Sequence, residues 1–160
     1  MDGQLEFLKE IGIFQAMSDE ELLKISNLLH EETFPAEKLI FNENETGTKW
    51  YFVKSGIIKI SKKSEKTGKD EFLAMIREKE FFGEMAVLDD SPRCATATAK
   101  GDSILLSFKK EDFKKMVEEN SALTLKIYRI FISQLCKKLR EMDKQMVDSF
   151  FTPPPLSSAY

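Results

Sequence analysis

Cysteine and histidine are nearly absent from these 160 residues: Cys94 and Cys136 are the two cysteines and His30 the one histidine. The cysteines fall in different settings, a loop and a helical pattern. That argues against a disulfide and fits a reducing compartment. A single histidine cannot supply the several imidazoles usual in a small β-barrel metalloenzyme. No Ser/His/Asp set, CxxC pair or phosphate loop of the GxxxxGK kind is present. No stretch approaches the roughly 20 apolar residues of a membrane span. The N-terminal MDGQLEFLKEIG lacks the basic-then-apolar order of a secretory signal. Neither sign of charge dominates: 24 basic against 27 acidic side chains leave a net charge of −3. Nothing global draws such a chain to nucleic acid or to an anionic membrane. The expectation is a cytoplasmic protein, without membrane attachment, long enough for one domain with a real core.

What is present changes period twice. Leu5, Leu8, Ile11 and Ile13-Phe14 form a short apolar helical face. Ser18-Asp19-Glu20-Glu21 reads as a helix start, with Ser18 as N-cap and Glu21 as its capping-box partner. Leu22, Leu23, Ile25, Leu28 and Leu29 continue at helical spacing, which places His30 near the end of that helix. From Thr33 the pattern alternates. Strands are predicted at Thr33-Phe34, Leu39–Phe41, Trp50–Val53, Ile57–Ile60, Glu71–Ile76, Thr96–Ala99 and Ser103–Phe108, separated by turn-like residues. Many short strands at regular spacing imply a β-sandwich or β-roll. From Glu111 the helical period returns to about Met146, broken near Glu118–Ser121. The predicted architecture is α+β, a jelly-roll-like β-roll over 33–109 with helices before it and helices at 111–147 after it. The whole forms one domain over 1–147. Residues 148–160, with Pro153-Pro154-Pro155, are expected as an extended tail.

The most specific chemistry lies in Phe81-Phe82-Gly83-Glu84-Met85-Ala86-Val87-Leu88 and Ser91-Pro92-Arg93-Cys94-Ala95-Thr96-Ala97. Gly83 permits positive φ or a close backbone approach. Glu84–Leu88 can form one helical turn whose first amides face an anion. Arg93 carries a planar fork matched to two phosphate oxygens. Small neighbours such as Ala95 let a ligand reach the backbone. Glu84 repels a phosphate but accepts a hydrogen bond from a sugar hydroxyl. A 3′,5′-cyclic nucleotide, with one singly charged phosphate and a free 2′-OH, suits the set. Taken residue by residue, Glu84 and Arg93 also fit an ion pair that staples a turn.

The string FGEMAVL…SPRCATATA closely resembles the phosphate-binding cassette of the cyclic nucleotide-binding domain family, of the catabolite-activator and kinase-regulatory-subunit type. The resemblance runs from the helix at Asp19 to the final helix. It implies that Glu84 binds the ribose 2′-OH and that Arg93 pairs with the cyclic phosphate. Gly83, Met85 and Ala86 would shape the cassette, and Cys94 and Ala95 would offer backbone amides to the phosphate. Ile60, Leu73, Ala74, Ile76 and Phe82 match strand positions that wall the sugar and base, although apolar strand residues are usually plain core. Cys94 stands where many members carry alanine, serine or threonine. A thiol is a weak donor, so the hydroxyl contact that favours cyclic GMP is lost and cyclic AMP is the expected ligand. The family usually has glycines near the turns occupied here by Glu37 and Asn44; asparagine tolerates the left-handed region, whereas Glu37 implies an altered first hairpin. Removing Arg93 is expected to abolish binding and spare the fold.

The final helix carries Tyr128, Phe131, Leu135 and Met142 at near-heptad steps among charged residues, which suits a protein partner or a homodimer. The resemblance places Met142 and Asp143 as a candidate base lid. The chain ends soon after this helix, so no direct DNA binding is expected. The implied function is a non-catalytic cyclic nucleotide sensor with a protein–protein output and no other cofactor. The alternatives are a small cupin-like enzyme, or a degenerate scaffold that binds nothing.

Overall fold

The computed structural model describes residues 2–151. Helix α1 (Asp2–Glu10) is followed by a 3-10 turn (Gly12–Phe14) and by α2 (Asp19–Ser26). Helix α2 begins as its sequence dictates. The Ser18 Oγ accepts from Glu21 N–H at 3.3 Å, and the Glu21 carboxylate accepts from Ser18 N–H at 2.9 Å. Two orphan donors of the helix end are satisfied reciprocally. Leu8, Ile11, Phe14, Leu22 and Ile25 are buried, while Leu5 and Ile13 are half-buried.

Helix α2 stops earlier than its apolar spacing implies. His30 belongs not to the helix but to strand β1 (Leu29–Phe34), antiparallel to β8 (Ser103–Lys109) with Leu29 opposite Phe108 and His30 opposite Ser107. The Ser107 hydroxyl donates to the His30 carbonyl at 3.3 Å. β1 is an edge strand, where the polar run His30-Glu31-Glu32 is tolerated because one side faces water.

Among the described residues eight strands form two four-stranded sheets, ordered β1-β8-β3-β6 and β2-β7-β4-β5. The others are β2 (Leu39–Phe41), β3 (Lys49–Ser55), β4 (Ile58–Lys63), β5 (Asp70–Ile76), β6 (Phe81–Phe82) and β7 (Thr96–Ala99). β6 has only two residues and passes unnoticed in the sequence. It exists because Phe82 and Phe81 pair with Tyr51 and Phe52.

Strand β3 shows why the roll holds. Trp50, Tyr51, Phe52 and Val53 are all buried, which one-sided burial of a strand forbids. Tyr51 and Val53 point into the core between the sheets, with Phe41, Ile58, Phe82, Ala97, Ala99 and Leu105. Trp50 and Phe52 point the other way, onto helical segments. Trp50 stacks on Phe108 at 4.6 Å and meets the Phe113 edge of α4 (Lys110–Glu119) at 5.2 Å; Phe52 meets Phe14 at 5.7 Å.

The β1–β2 and β2–β3 connections each hold a left-handed residue that is not glycine. Glu37 stands at φ 61° and Asn44 at φ 68°, and Glu37 N–H donates to Ala99 O at 2.8 Å. β1 and β2 lie in different sheets, so this turn is a crossover and not a hairpin, and a left-handed glutamate there carries local strain. Both cysteines are free.

The chain divides into two units at Ser121–Ala122. The second unit is essentially helix α5, which runs from Ser121 to Phe151 after the expected break at Asn120. It extends into the segment predicted as tail; Pro153–Pro155 and their neighbours lie outside the described residues. Leu125, Tyr128, Ile132, Leu139, Met142 and Met146 are exposed along it. Among the described residues no helix is long and apolar enough to cross a membrane.

The α2 cap gives a simple test. Ser18→Ala is expected to lower stability by about 1 kcal/mol, read as a reduced urea midpoint at unchanged slope; an unchanged midpoint would remove the capping box from the account.

Candidate functional site

The site is assembled by three segments that converge on one side chain. Strand β6 ends at Phe82, and Gly83 turns the chain at φ 78°. Glu84 caps the single-turn helix α3 (Met85–Leu88), and its carbonyl accepts from Val87 N–H and Leu88 N–H, both at 3.0 Å. The first amides of such a turn have no intrahelical acceptor. The loop after α3 then docks on the β2–β3 loop. Thr46 bridges Pro92, Arg93 N–H donates to Glu45 O at 2.8 Å, and Asn44 N–H donates to Arg93 O at 2.8 Å. The left-handed backbone of Asn44 aims its amide for this pairing.

Arg93 is the centre. The residue is 4% exposed. Nη1 donates to Gly83 O at 2.6 Å and Nη2 to Lys49 O at 2.5 Å. The guanidinium lies 4.0 Å from the centroid of the Phe41 ring, in cation–π contact. Its Nε is buried without a hydrogen-bond partner. Arg93 closes no ion pair with a carboxylate of the described residues. Burial pulls its pKa below the usual guanidinium value, opposed in part by Tyr51, Glu45, Cys94 and Glu84. Arginine stays charged despite this, so a full cation sits out of water against neutral carbonyls. An anion that reached its spare N–H groups would gain strongly.

Two glycines make room for this cation. A Cβ on Gly83 would stand 2.7 Å from Arg93 Nη1, and one on Gly47 would stand 2.4 Å from the Ala86 Cβ and 3.4 Å from Arg93 Cζ. Tyr51, beneath the guanidinium's aromatic neighbour Phe41, has its phenol pushed well above its ordinary pKa by burial.

Most of the predicted residues come together. Glu84, Ala86 and Ala95 are buried, at 3%, 3% and 6% exposure. Met85 and Cys94 are exposed, with Cys94 Sγ 3.9 Å from Met85 Sδ. Ile60 of β4 pairs with Ala74 of β5, and Ile58 with Ile76; Ile60 and Ile76 pack against the inter-sheet core. Leu73 stands apart from them. It is the extra residue of a bulge where Ile60 faces Ala74 and Ser61 faces Phe72, and it is 53% exposed. A bulge re-aims its side chain. Phe82 is core, stacked on Tyr51 at 5.2 Å, and it supports Gly83 from below. Met142 and Asp143 are exposed residues of α5. The expectation that loss of Arg93 spares the fold needs revision, because the side chain satisfies two carbonyls.

Phe41, Gly47 and the Lys49 carbonyl were not anticipated. The glycine in Asn44-Glu45-Thr46-Gly47 was the one available signal, since a glycine beside an anion loop often marks close backbone approach. Among the described residues no group of three or more His, Cys, Asp or Glu side chains is placed to hold a metal ion.

The fold is a β-roll that carries a one-turn helix beside a buried arginine, and comparison with known proteins places it in a family. The family model of the cyclic nucleotide-binding domain matches residues 31–120. The chain belongs to that family. It is 25% identical over 150 residues to a CRP-like cAMP-activated global transcriptional regulator of Mycobacterium tuberculosis, covering 94% of this chain and 65% of that protein. It is 31% identical to a cAMP-dependent protein kinase regulatory subunit of Yarrowia lipolytica, over 69% of this chain and 28% of that one. The chain thus spans less than two thirds of these regulators. In fold it resembles a cyclic nucleotide-binding domain from Methylobacillus flagellatus, with a TM-score of 0.82 at 19% identity, over 97% of this chain and 85% of that one.

Gly83→Ala tests the packing. The methyl group would enter both a left-handed backbone and the guanidinium's place, so a loss of more than about 1 kcal/mol is expected in denaturant unfolding; a neutral result would show that Arg93 is not held against Gly83.

Proposed function

We propose that this chain is a cyclic nucleotide sensor that prefers cyclic AMP to cyclic GMP and passes occupancy to a partner, or to a second copy, through α5. The observation that carries the reading is the Arg93 guanidinium: buried, charged, unpaired by any carboxylate of the described residues, and with Nε left over. The names of both curated relatives support cyclic AMP.

Arg93 receives the cyclic phosphate through Nε and a spare Nη proton. The phosphate competes with Gly83 O and Lys49 O for the guanidinium, so binding loosens or redirects the hold on the β3 start and on the β6–α3 turn. The amides of Ala86, Cys94 and Ala95 complete the phosphate cradle, with Met85 beside it. Glu84 accepts from the ribose 2′-OH; its burial makes that bond worth more than a surface contact. Ile60, Ala74 and Ile76 form the apolar wall, and Leu73 reaches the ligand only as far as its bulge directs it. Cys94 offers no strong donor to a guanine amino group, which removes one source of cyclic GMP preference. Met142 and Asp143 serve as the base lid on α5. The exposed apolar residues of that helix recur at steps of three, four and seven, the spacing of a two-helix seam. A ligand that binds one arrangement of the switch better than another shifts the population toward it.

A thermal-shift panel tests the reading. Cyclic AMP at about 100 times its dissociation constant should add roughly 2.7 kcal/mol of stability, cyclic GMP less at equal concentration, and linear AMP and ATP nothing. Arg93→Lys keeps the charge but loses the fork, and should weaken cyclic AMP binding at least about tenfold. Glu84→Gln should weaken it while leaving the affinity order of the two cyclic nucleotides unchanged. Stabilisation by ATP equal to that by cyclic AMP would overturn the proposal.

A further inference from the structure

One cation beside the anion loop has no part in the cradle described above. Lys62 lies on β4, with its side chain 50% exposed. Its ammonium donates to the carbonyl oxygen of Cys94 at 2.8 Å and pairs with Glu43 at 2.8 Å. Glu43 is the better buried partner, its side chain 17% exposed. It is fixed from two more sides: Oε2 accepts from Lys63 N–H at 3.0 Å, and its own N–H donates to Thr96 Oγ1 at 3.0 Å. β4, the β2–β3 loop and the segment that follows Arg93 are thereby tied to a single ion pair. The two charges reinforce each other: Glu43 is held below the usual carboxylate range, first by Lys62, and Lys62 is raised above the usual ammonium range, first by Glu43.

The Cys94 carbonyl and the Ala95 N–H belong to the same planar peptide and point in opposite directions when that peptide is trans. No cis peptide occurs among the described residues. Whatever holds the Cys94 oxygen therefore aims the Ala95 N–H. A cation on the oxygen also polarises the amide and makes its N–H a better donor. The geometry points to Lys62 as a positioning residue for the anion site: drawing the Cys94 oxygen toward β4, with Glu43 as its anchor, it sets the Ala95 amide for the phosphate. This rests on the cyclic nucleotide reading given above, in which Ala95 contributes an amide. The pairing of Arg93 with Asn44 and Glu45 fixes the same segment one residue earlier, and Lys62 acts on the peptide plane that follows.

The test compares wild type, Lys62→Met, Lys62→Arg and Glu43→Gln by two measurements. The first is amide hydrogen exchange at Ala95 in the free protein; the second is cyclic AMP affinity by calorimetry. Lys62→Met should slow base-catalysed exchange at Ala95, because the amide loses the cation that polarises it, and should raise the dissociation constant, each about three- to fivefold, the upper size of a half-exposed charged contact. Lys62→Arg should restore both to within about twofold, and Glu43→Gln should move both the same way by less. The melting temperature should stay within about 2 °C, because a half-exposed lysine carries little global stability. Unchanged Ala95 exchange in Lys62→Met would overturn the proposal, as would unchanged affinity in a wild-type protein that binds. If wild type bound neither cyclic nucleotide, the ligand reading would fail on its own, and the exchange measurement would still decide whether Lys62 sets this peptide.

Discussion

A guanidinium held out of water is the constraint on which the rest of this molecule turns. Arg93 is charged at any pH the fold survives, yet only neutral groups take its hydrogen bonds, the carbonyls of Gly83 and Lys49. Burying a charge this way is costly unless each donor is met. The roll meets two of them with backbone oxygens and a third interaction with the Phe41 face, and it leaves Nε unmet. Gly83 and Gly47 exist in this arrangement as the absence of two methyl groups. Phe82 and Tyr51 form the aromatic floor.

The strands and the site are therefore one design. Strand β3 is buried on both faces, and it is the carbonyl of its first residue that Arg93 grips. The same region supplies Thr48 O to the amide of Lys110, the first residue of α4, at 2.8 Å. The Lys110 ammonium also pairs with Asp90 in the loop after α3 and donates to Ala86 O at 3.4 Å. These contacts, all inside the first unit, run from the strand start that holds the arginine to the root of α4.

Much of this was legible in the residues, for local reasons. The Ser18–Glu21 box, the break before Ser121 and the strands at Leu39–Phe41 and Thr96–Ala99 follow from capping chemistry and alternation, which act over a few residues. The cassette was legible because Gly83, Glu84 and Arg93 need particular chemistry at fixed spacing. The misreadings came from tertiary context. His30 looks helical because Leu28 and Leu29 extend an apolar period, and only the β8 ladder makes it a strand. β6 is two residues long and owes its existence to β3. The Leu73 bulge is a property of the β4–β5 register. Lys49 enters the site through its carbonyl, which no side-chain pattern advertises. Glu37 holds a left-handed turn that its residue type disfavours, because Ala99 and Lys100 secure it from another strand.

The central claim is that the spare donor on Arg93 is the acceptor-seeking end of a phosphate site. The most direct measurement is the ¹⁵N–¹H resonance of Arg93 Nε, followed as cyclic AMP is added. The account predicts a distinct downfield proton shift at saturation, as the N–H leaves its unpartnered state and hydrogen-bonds to a phosphate oxygen. A resonance that stayed in place while the protein was saturated with nucleotide would contradict it.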